Sequence, residues 1–205
     1  MALAAIGYAK AKLRRQIMIA TTSVGPGATN MVTAAGVAHS NRLPVLLLSG
    51  DTYNNRLPDP VLQQVEHFGE PSTTVNDSFR SVSRYWDRIT HPAQILSSLP
   101  QAVATMMDPA DCGPAFIGLP QDVQEIAYDY PVEFFTETTW RMTRSRPDLQ
   151  QVDEAVKILK MAKKPLIISG GGVRYSGAVE ALVKFAEQRM IPVAETIAGK
   201  GAFVH

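Results

Sequence analysis

Cysteine occurs once in this sequence of 205 residues, histidine four times, and neither sign of charge is in excess, with 20 Lys and Arg against 19 Asp and Glu. Each shortage closes a class of function. Cys112 has no second cysteine for an internal disulfide and no CxxC partner for zinc, which fits a reducing compartment. It lies in the turn sequence Asp111-Cys112-Gly113-Pro114, so a structural role is expected and not a nucleophile. Balanced charge offers no surface to recruit nucleic acid or a membrane. No run of about 18 uninterrupted apolar residues is present, so no membrane-spanning helix is expected. No charged-then-apolar leader with a cleavage site precedes the first helical pattern, and the expected location is the cytoplasm. With 45% hydrophobic residues the chain has apolar material for one or two globular domains.

A start signal for the first helix is also missing. Residues 1–12 (MALAAIGYAKAK) are helical in pattern, with Leu3, Ile6 and Tyr8 among alanines and the lysines toward the C-terminal end. Met1 stands where a Ser, Thr, Asp or Asn cap belongs. The expectation is a sequence that opens inside a domain.

What is present is organised around residues 17–50. A short apolar strand (17–20) runs into the loop TTSVGPGATN (21–30), then a helix (28–38), then a second buried strand (45–48). This is a βαβ unit, and ligands of open parallel sheets sit outside the carboxyl ends of the strands. The free N–H groups of the helix's first turn face the loop. Asn30, placed by this reading in that first turn, can present both a donor and an acceptor to a ring or a carbonyl. By itself Gly25-Pro26-Gly27 reads more readily as a tight turn than as a binding loop. Asn30 stands where a dinucleotide fingerprint needs its third glycine, which disfavours a nucleotide site of that type.

Beyond the second strand, a polar segment (53–59) faces the same edge, and residues 61–68 are expected to form a short helix that returns Leu62 and Gln63 to it. Taken singly, Gln63 reads as a surface residue and His67 as a hydrogen-bonded histidine. His39, His67 and His91 are open as contributors at the site edge, though each reads more readily as structural. No second His, Cys or paired carboxylate lies at metal-binding spacing. Residues 75–88 carry an apolar face and a basic one, with Arg84 and Arg88 as i,i+4 neighbours on a solvated surface if helical. An amphipathic helix (93–107) and a buried strand (114–119) follow.

Periodicity then disappears between 120 and 147, where Tyr128, Tyr130, Phe134, Phe135 and Trp140 suggest an ordered linker wrapping a surface. A domain boundary is expected near Asp148. A helix from Val152, a strand (165–169), a turn at Gly170-Gly171-Gly172, a helix (178–189) and a strand (191–194) open a second α/β domain. Its roughly 58 residues are few for a core of its own.

Gly7-Tyr8-Ala9, SVGPGATN (23–30), Leu48-Ser49-Gly50, Leu62-Gln63 and GPAFIGLPQDVQ (113–124), in that order and spacing, resemble the pyrimidine-binding domain of thiamine diphosphate enzymes of the acetolactate synthase type. The wording of 1–12, 25–69 and 106–124 resembles most the branch that hydrolyses a ring carbon–carbon bond of an inositol-derived cyclic diketone to a deoxy-glucuronic acid. The resemblance implies an α/β fold: a parallel-sheet, three-layer pyrimidine-binding domain at 1–125 with its first strand missing, an ordered linker at 126–147, and the beginning of a Rossmann-like middle domain at 148–205.

It implies thiamine diphosphate and Mg2+ as cofactors of the intact enzyme, with Pro26 against the pyrimidine ring, Asn30 near it, Gln63 reaching the cofactor and Leu62 on the substrate side. Acetolactate synthases typically carry Phe-Gln where Leu62-Gln63 stand, which points to a different substrate. The activating glutamate would lie upstream of Met1, and the metal and diphosphate site in a domain absent from this sequence. No catalytic or metal residue is therefore expected here. A homodimer or homotetramer is implied for the intact protein, and this piece alone is expected to be inactive. A 2-keto acid substrate, or a non-catalytic assembly module on the same fold, are the alternative readings.

Overall fold

Four short strands pair side by side into one parallel sheet. The structure is a computed structural model, and it describes residues 1–58, 61–65, 67–143 and 145–203. Asp59 and Glu66, which fall in the expected polar segment and short helix, lie outside the described residues, as do Val204 and His205. The chain divides into two compact units, the first spanning Met1–Thr143 and the second the remainder.

In the first unit α1 (Ala2–Ala11), β1 (Met18–Thr22), α2 (Pro26–Asn41) and β2 (Val45–Asp51) succeed one another. After a long irregular stretch come a 3-10 turn (Val75–Phe79), β3 (Tyr85–Arg88), α3 (Ile95–Met107), β4 (Ala115–Pro120) and the single turn α4 (Gln121–Gln124). The sheet order is β1-β2-β4-β3 with every pair parallel. β2 and β4 occupy the centre, which is why VLLL (45–48) and AFI (115–117) are nearly continuous apolar runs. β1 is an edge, with Met18 and Ile19 exposed.

Alternation along the strands sends successive side chains to opposite faces. On one face Leu46, Ala115 and Ile117 pack with Ala102 and Met106 of α3. On the other, Phe116 stacks on Phe79 at 4.1 Å and lies near Trp86 at 6.4 Å between ring centroids. α2 buries Ala28, Met31, Ala34, Ala35 and Ala38, and these mostly methyl-sized contacts let it lie close to its neighbours.

The expected strands and helices are present with shifted ends: α2 begins at Pro26, two residues early, and β2 runs on through Asp51. Two expectations in this unit are corrected. Residues 85–88 form a strand, so Arg84 and Arg88 are not helical neighbours on a solvated face; period-two alternation turns Tyr85 toward Ser98 of α3 and Trp86 and Arg88 to the opposite side. The described part of 61–68 holds turns and no helix, because Gln63 takes a left-handed backbone with φ +65°.

The second unit contains α5 (Leu149–Met161), capped by the Asp148 carboxylate on the Gln151 N–H at 3.0 Å. β5 (Ile167–Ser169) pairs in parallel with β6 (Val193–Glu195), and α7 (Val179–Arg189) lies between them in sequence. Where a glycine turn was expected, residues Gly171–Tyr175 form the short helix α6.

Candidate functional site

The carboxyl ends of β1, β2 and β4 carry the candidate site. After β1 the chain reverses at Gly25, whose φ of +74° only glycine adopts without strain, and Pro26 opens α2 at its first position. A Cβ on Gly25 would also collide with the Gln63 carbonyl oxygen, so the absent side chain lets a second loop seat on the turn. Gln63 adds a long 3.4 Å contact, accepting at Oε1 from the Ser23 hydroxyl.

Two open clefts meet here. One, of about 630 Å³, is lined by Thr21, Thr22, Thr29, Asn30 and Thr33 together with Met1 to Leu3. The other, of about 520 Å³, is lined by Ser23, Ser49, Tyr53, Leu62, Gln63 and Gln121 among others. Thr21 and Thr22 line both, so the clefts adjoin along the end of β1. The structure thus brings Asn30 to the first cleft and Leu62 and Gln63 to the second. Asn30 stands at the start of the second turn of α2, two residues deeper than expected, because the helix begins at Pro26. Pro26 is exposed at the helix start and is not among the residues lining either cleft.

The segment between β2 and Gln63 is tied down at its root. Asp122, in α4, accepts from two consecutive backbone groups, the N–H of Asn54 at Oδ1 (2.9 Å) and of Asn55 at Oδ2 (3.0 Å). The Asn55 side chain accepts from the Leu57 N–H at 2.8 Å. Among the described residues of the segment, Leu57 and Leu62 are more than four-fifths exposed.

Beneath the site lies a buried ionic cluster. Asp51, fully buried at the end of β2, accepts from Arg88 Nε at 2.7 Å, and Arg88 Nη2 donates to Asp77 Oδ2 at 2.7 Å and to Thr74 Oγ1 at 2.8 Å. The pair has room because Gly118 bears no side chain: a Cβ there would stand 3.0 Å from Asp51 Oδ2. The Asn76 amide donates to the Gly50 carbonyl at 2.9 Å, holding the residue that lines the second cleft. Burial works to raise the Asp77 carboxyl, but the Thr74 N–H and the Arg80 and Arg88 guanidiniums outweigh it and hold that carboxyl below the ordinary value. Burial likewise opposes the Arg88 charge, and Asp51 and Asp77 more than offset it.

The sequence reading missed Asp51, Arg88 and Asp122. Only Asp122 had a visible signal, its place in the GLPQDVQ block directly after a strand. The histidines scatter. His39 lies in the last turn of α2, away from the Gly25 end, and His91 caps a 3-10 turn by accepting the Ala93 N–H at 3.2 Å. His67 lines a separate small cavity with Arg56 and Gln64. Among the described residues no group of three or more His, Cys, Asp or Glu side chains could hold a metal ion, and no helix is long and apolar enough to cross a membrane.

Family models place this arrangement. Residues 1–69 match the thiamine pyrophosphate enzyme N-terminal TPP binding domain, and residues 152–205 match the central domain of the same enzymes. A 3D-(3,5/4)-trihydroxycyclohexane-1,2-dione hydrolase of Geobacillus thermodenitrificans is 55% identical over 201 residues, 98% of this chain and 32% of that protein. The enzyme of the same name from Clostridium tetani is 52% identical over 202 residues, 98% of this chain and 31% of its own length. The chain therefore spans about a third of the length of these relatives. The fold matches a solved Mycobacterium smegmatis structure, described as a thiamin diphosphate-dependent enzyme, with a TM-score of 0.72 at 22% identity over 96% of this chain and 35% of that one. On these matches the chain belongs to the thiamine pyrophosphate enzymes, of which it carries the N-terminal cofactor-binding domain followed by the start of the central domain.

Proposed function

We propose that this chain forms the pyrimidine-holding part of a thiamine diphosphate-dependent hydrolase that opens the ring of an inositol-derived trihydroxycyclohexanedione to a deoxy-glucuronic acid. The observation that carries the reading is the composition of the cleft at the end of β1: threonine hydroxyls and the Asn30 amide, with no charged side chain among its lining residues. That donor set suits a neutral ring bearing hydrogen-bonding nitrogens and an amine, which is what an aminopyrimidine presents. When bound, the cofactor supplies a thiazolium carbon that adds to a carbonyl and takes up the electrons of the breaking carbon–carbon bond.

The residues of this chain bind and orient. Asn30 hydrogen-bonds the ring, Gln63 closes over it from the adjoining cleft, and Leu62 gives the substrate side an apolar contact, while Pro26, which lines neither cleft, fixes the start of the helix that carries Asn30. Leu62 in place of the phenylalanine typical of acetolactate synthases speaks for the cyclic diketone over a 2-keto acid. The diphosphate, a magnesium ion and the glutamate that activates the aminopyrimidine belong, in this reading, to chain outside these residues. The enzyme works in the cytoplasm as a homodimer or homotetramer, and these 205 residues alone do not turn over.

Calorimetric titration with thiamine diphosphate and Mg2+ tests this reading on a protein extended to the length of the relatives, alongside these 205 residues alone. An acidification assay with the trihydroxycyclohexanedione and a carbon dioxide release assay with pyruvate accompany it. Expected are tight binding and ring opening by the extended protein only, with Asn30→Ala and Gln63→Ala each weakening binding about tenfold, the loss of roughly one buried hydrogen bond. Turnover of pyruvate without ring opening overturns the assignment.

A further inference from the structure

The Asp122 carboxylate is spent on the backbone of another element. It stands in α4, immediately after β4, and receives the N–H groups of Asn54 and Asn55, one on each oxygen. Two adjacent donors on the two oxygens of one carboxylate set an orientation as well as a distance, and charge-assisted bonds of this kind are about twice as strong as neutral ones. The same turn is closed by the Arg56 N–H on the Tyr53 carbonyl at 3.2 Å and by Asn55 on Leu57. Eight residues beyond Asn55, the Gln63 carbonyl rests on Gly25.

We propose that Asp122 is a positioning residue for the cofactor cleft: by holding Asn54 and Asn55 it sets where Leu62 and Gln63 stand. This rests on the reading above in one respect only, that Gln63 serves the cofactor. Asp122 need not touch the ligand. Its effect travels along the chain from Asn55 to Gln63. Leu57 and Leu62 face solvent, Gln63 adopts an unfavourable left-handed backbone, and its side-chain contact with Ser23 is long. Freed at Asn54 and Asn55, the segment gains conformational entropy that the seat on Gly25 must oppose.

The test separates this from a merely structural turn cap. Hydrogen exchange is measured on the chain with Asp122→Ala, Asp122→Asn and Asp122→Glu, and thiamine diphosphate titration on the same variants of the extended protein. Expected for Asp122→Ala is exchange at least about tenfold faster at Asn54 and Asn55, equally raised at Gln63 and Gln64, with the thermal midpoint nearly unchanged. Cofactor binding weakens about tenfold, and adding Gln63→Ala to Asp122→Ala produces no further loss, because the two act through one segment. Asp122→Glu, which keeps both acceptors, recovers part of the protection and of the affinity.

Faster exchange confined to Asn54 and Asn55 with unchanged binding overturns the proposal. Losses from Asp122→Ala and Gln63→Ala that simply add also overturn it. If Asp122→Ala does not fold, Asp122→Asn is read by the same criteria. If the extended wild-type protein fails to bind thiamine diphosphate, the functional reading falls, while the exchange at Gln63 and Gln64 still decides whether Asp122 positions the segment.

Discussion

Gly25 does two things that no other residue can do in its place. It takes φ +74° at the turn into α2, and its bare Cα accepts the Gln63 carbonyl. An alanine held at φ +74° and ψ −124° costs about 1 to 3 kcal/mol from the backbone alone. Gly25→Ala is therefore expected to lower stability by at least that amount in urea denaturation and, by evicting Gln63, to weaken cofactor binding more than Gln63→Ala does. Cys112 gives a contrasting residue-scale prediction. It is fully buried, its thiol donates to the Met106 carbonyl at 3.2 Å, and burial pushes its pKa up to about 11. The folded chain should stay unlabelled by iodoacetamide at pH 8 and react fully once unfolded in guanidinium. Rapid labelling of the native chain would contradict the structural role given to this cysteine.

At the scale of elements, the cluster of Asp51, Arg88 and Asp77 joins the end of β2, the end of β3 and the 3-10 turn between them. Buried ion pairs add little net stability when formed, but removing one partner strands the other. Arg88→Met should cost about 3 to 5 kcal/mol, since Asp51 has no exposure and, among the described residues, no other cation on its carboxylate. Its pH dependence has a definite sign. Asp77 is held below the ordinary carboxylate value in the folded chain, so its contribution is present above the unfolded value near 3.8 and is lost as pH falls through the lower, folded one. Urea midpoints measured from neutral pH downward should show an acid limb below about pH 4 that Asp77→Asn flattens. An unchanged limb in that variant would assign acid sensitivity to other carboxylates.

At the scale of the whole molecule, the two units differ in how much they bury. The first holds the buried sheet, with Leu47, Phe79, Phe116 and Ile117 fully enclosed. In the second, buried apolar side chains among the described residues are limited to Ala186 and Ala202, while Ile168, Met190 and Ile197 are at least two-thirds exposed. Local stability follows buried apolar contact. Native-state hydrogen exchange should therefore show the slowest amides in β2 and β4, with β5, β6 and α7 exchanging orders of magnitude faster. Equal protection in both units would show that the second is held by contacts beyond those within it.

The order of helices and strands around the Gly25 turn was legible from local pattern, because continuous apolar runs and alanine-rich helical spacing each have one stable burial solution. The family was legible for a related reason: the close approach at Gly25 and the polar edge beside it demand particular residues at particular spacings. The left-handed Gln63 was not legible, since it is imposed by a neighbour some 40 positions away that offers it a seat. Residues 85–88 became a strand because β4 supplies the pairing and Phe116 the stacking partner, neither of which is local. Arg88 and Asp122 look like surface charges in sequence, and only the meeting of strand ends turns one into a buried counter-ion and the other into an anchor. Periodicity reports what a residue does within its own element, whereas an ion pair or a backbone clamp depends on which element the fold brings beside it.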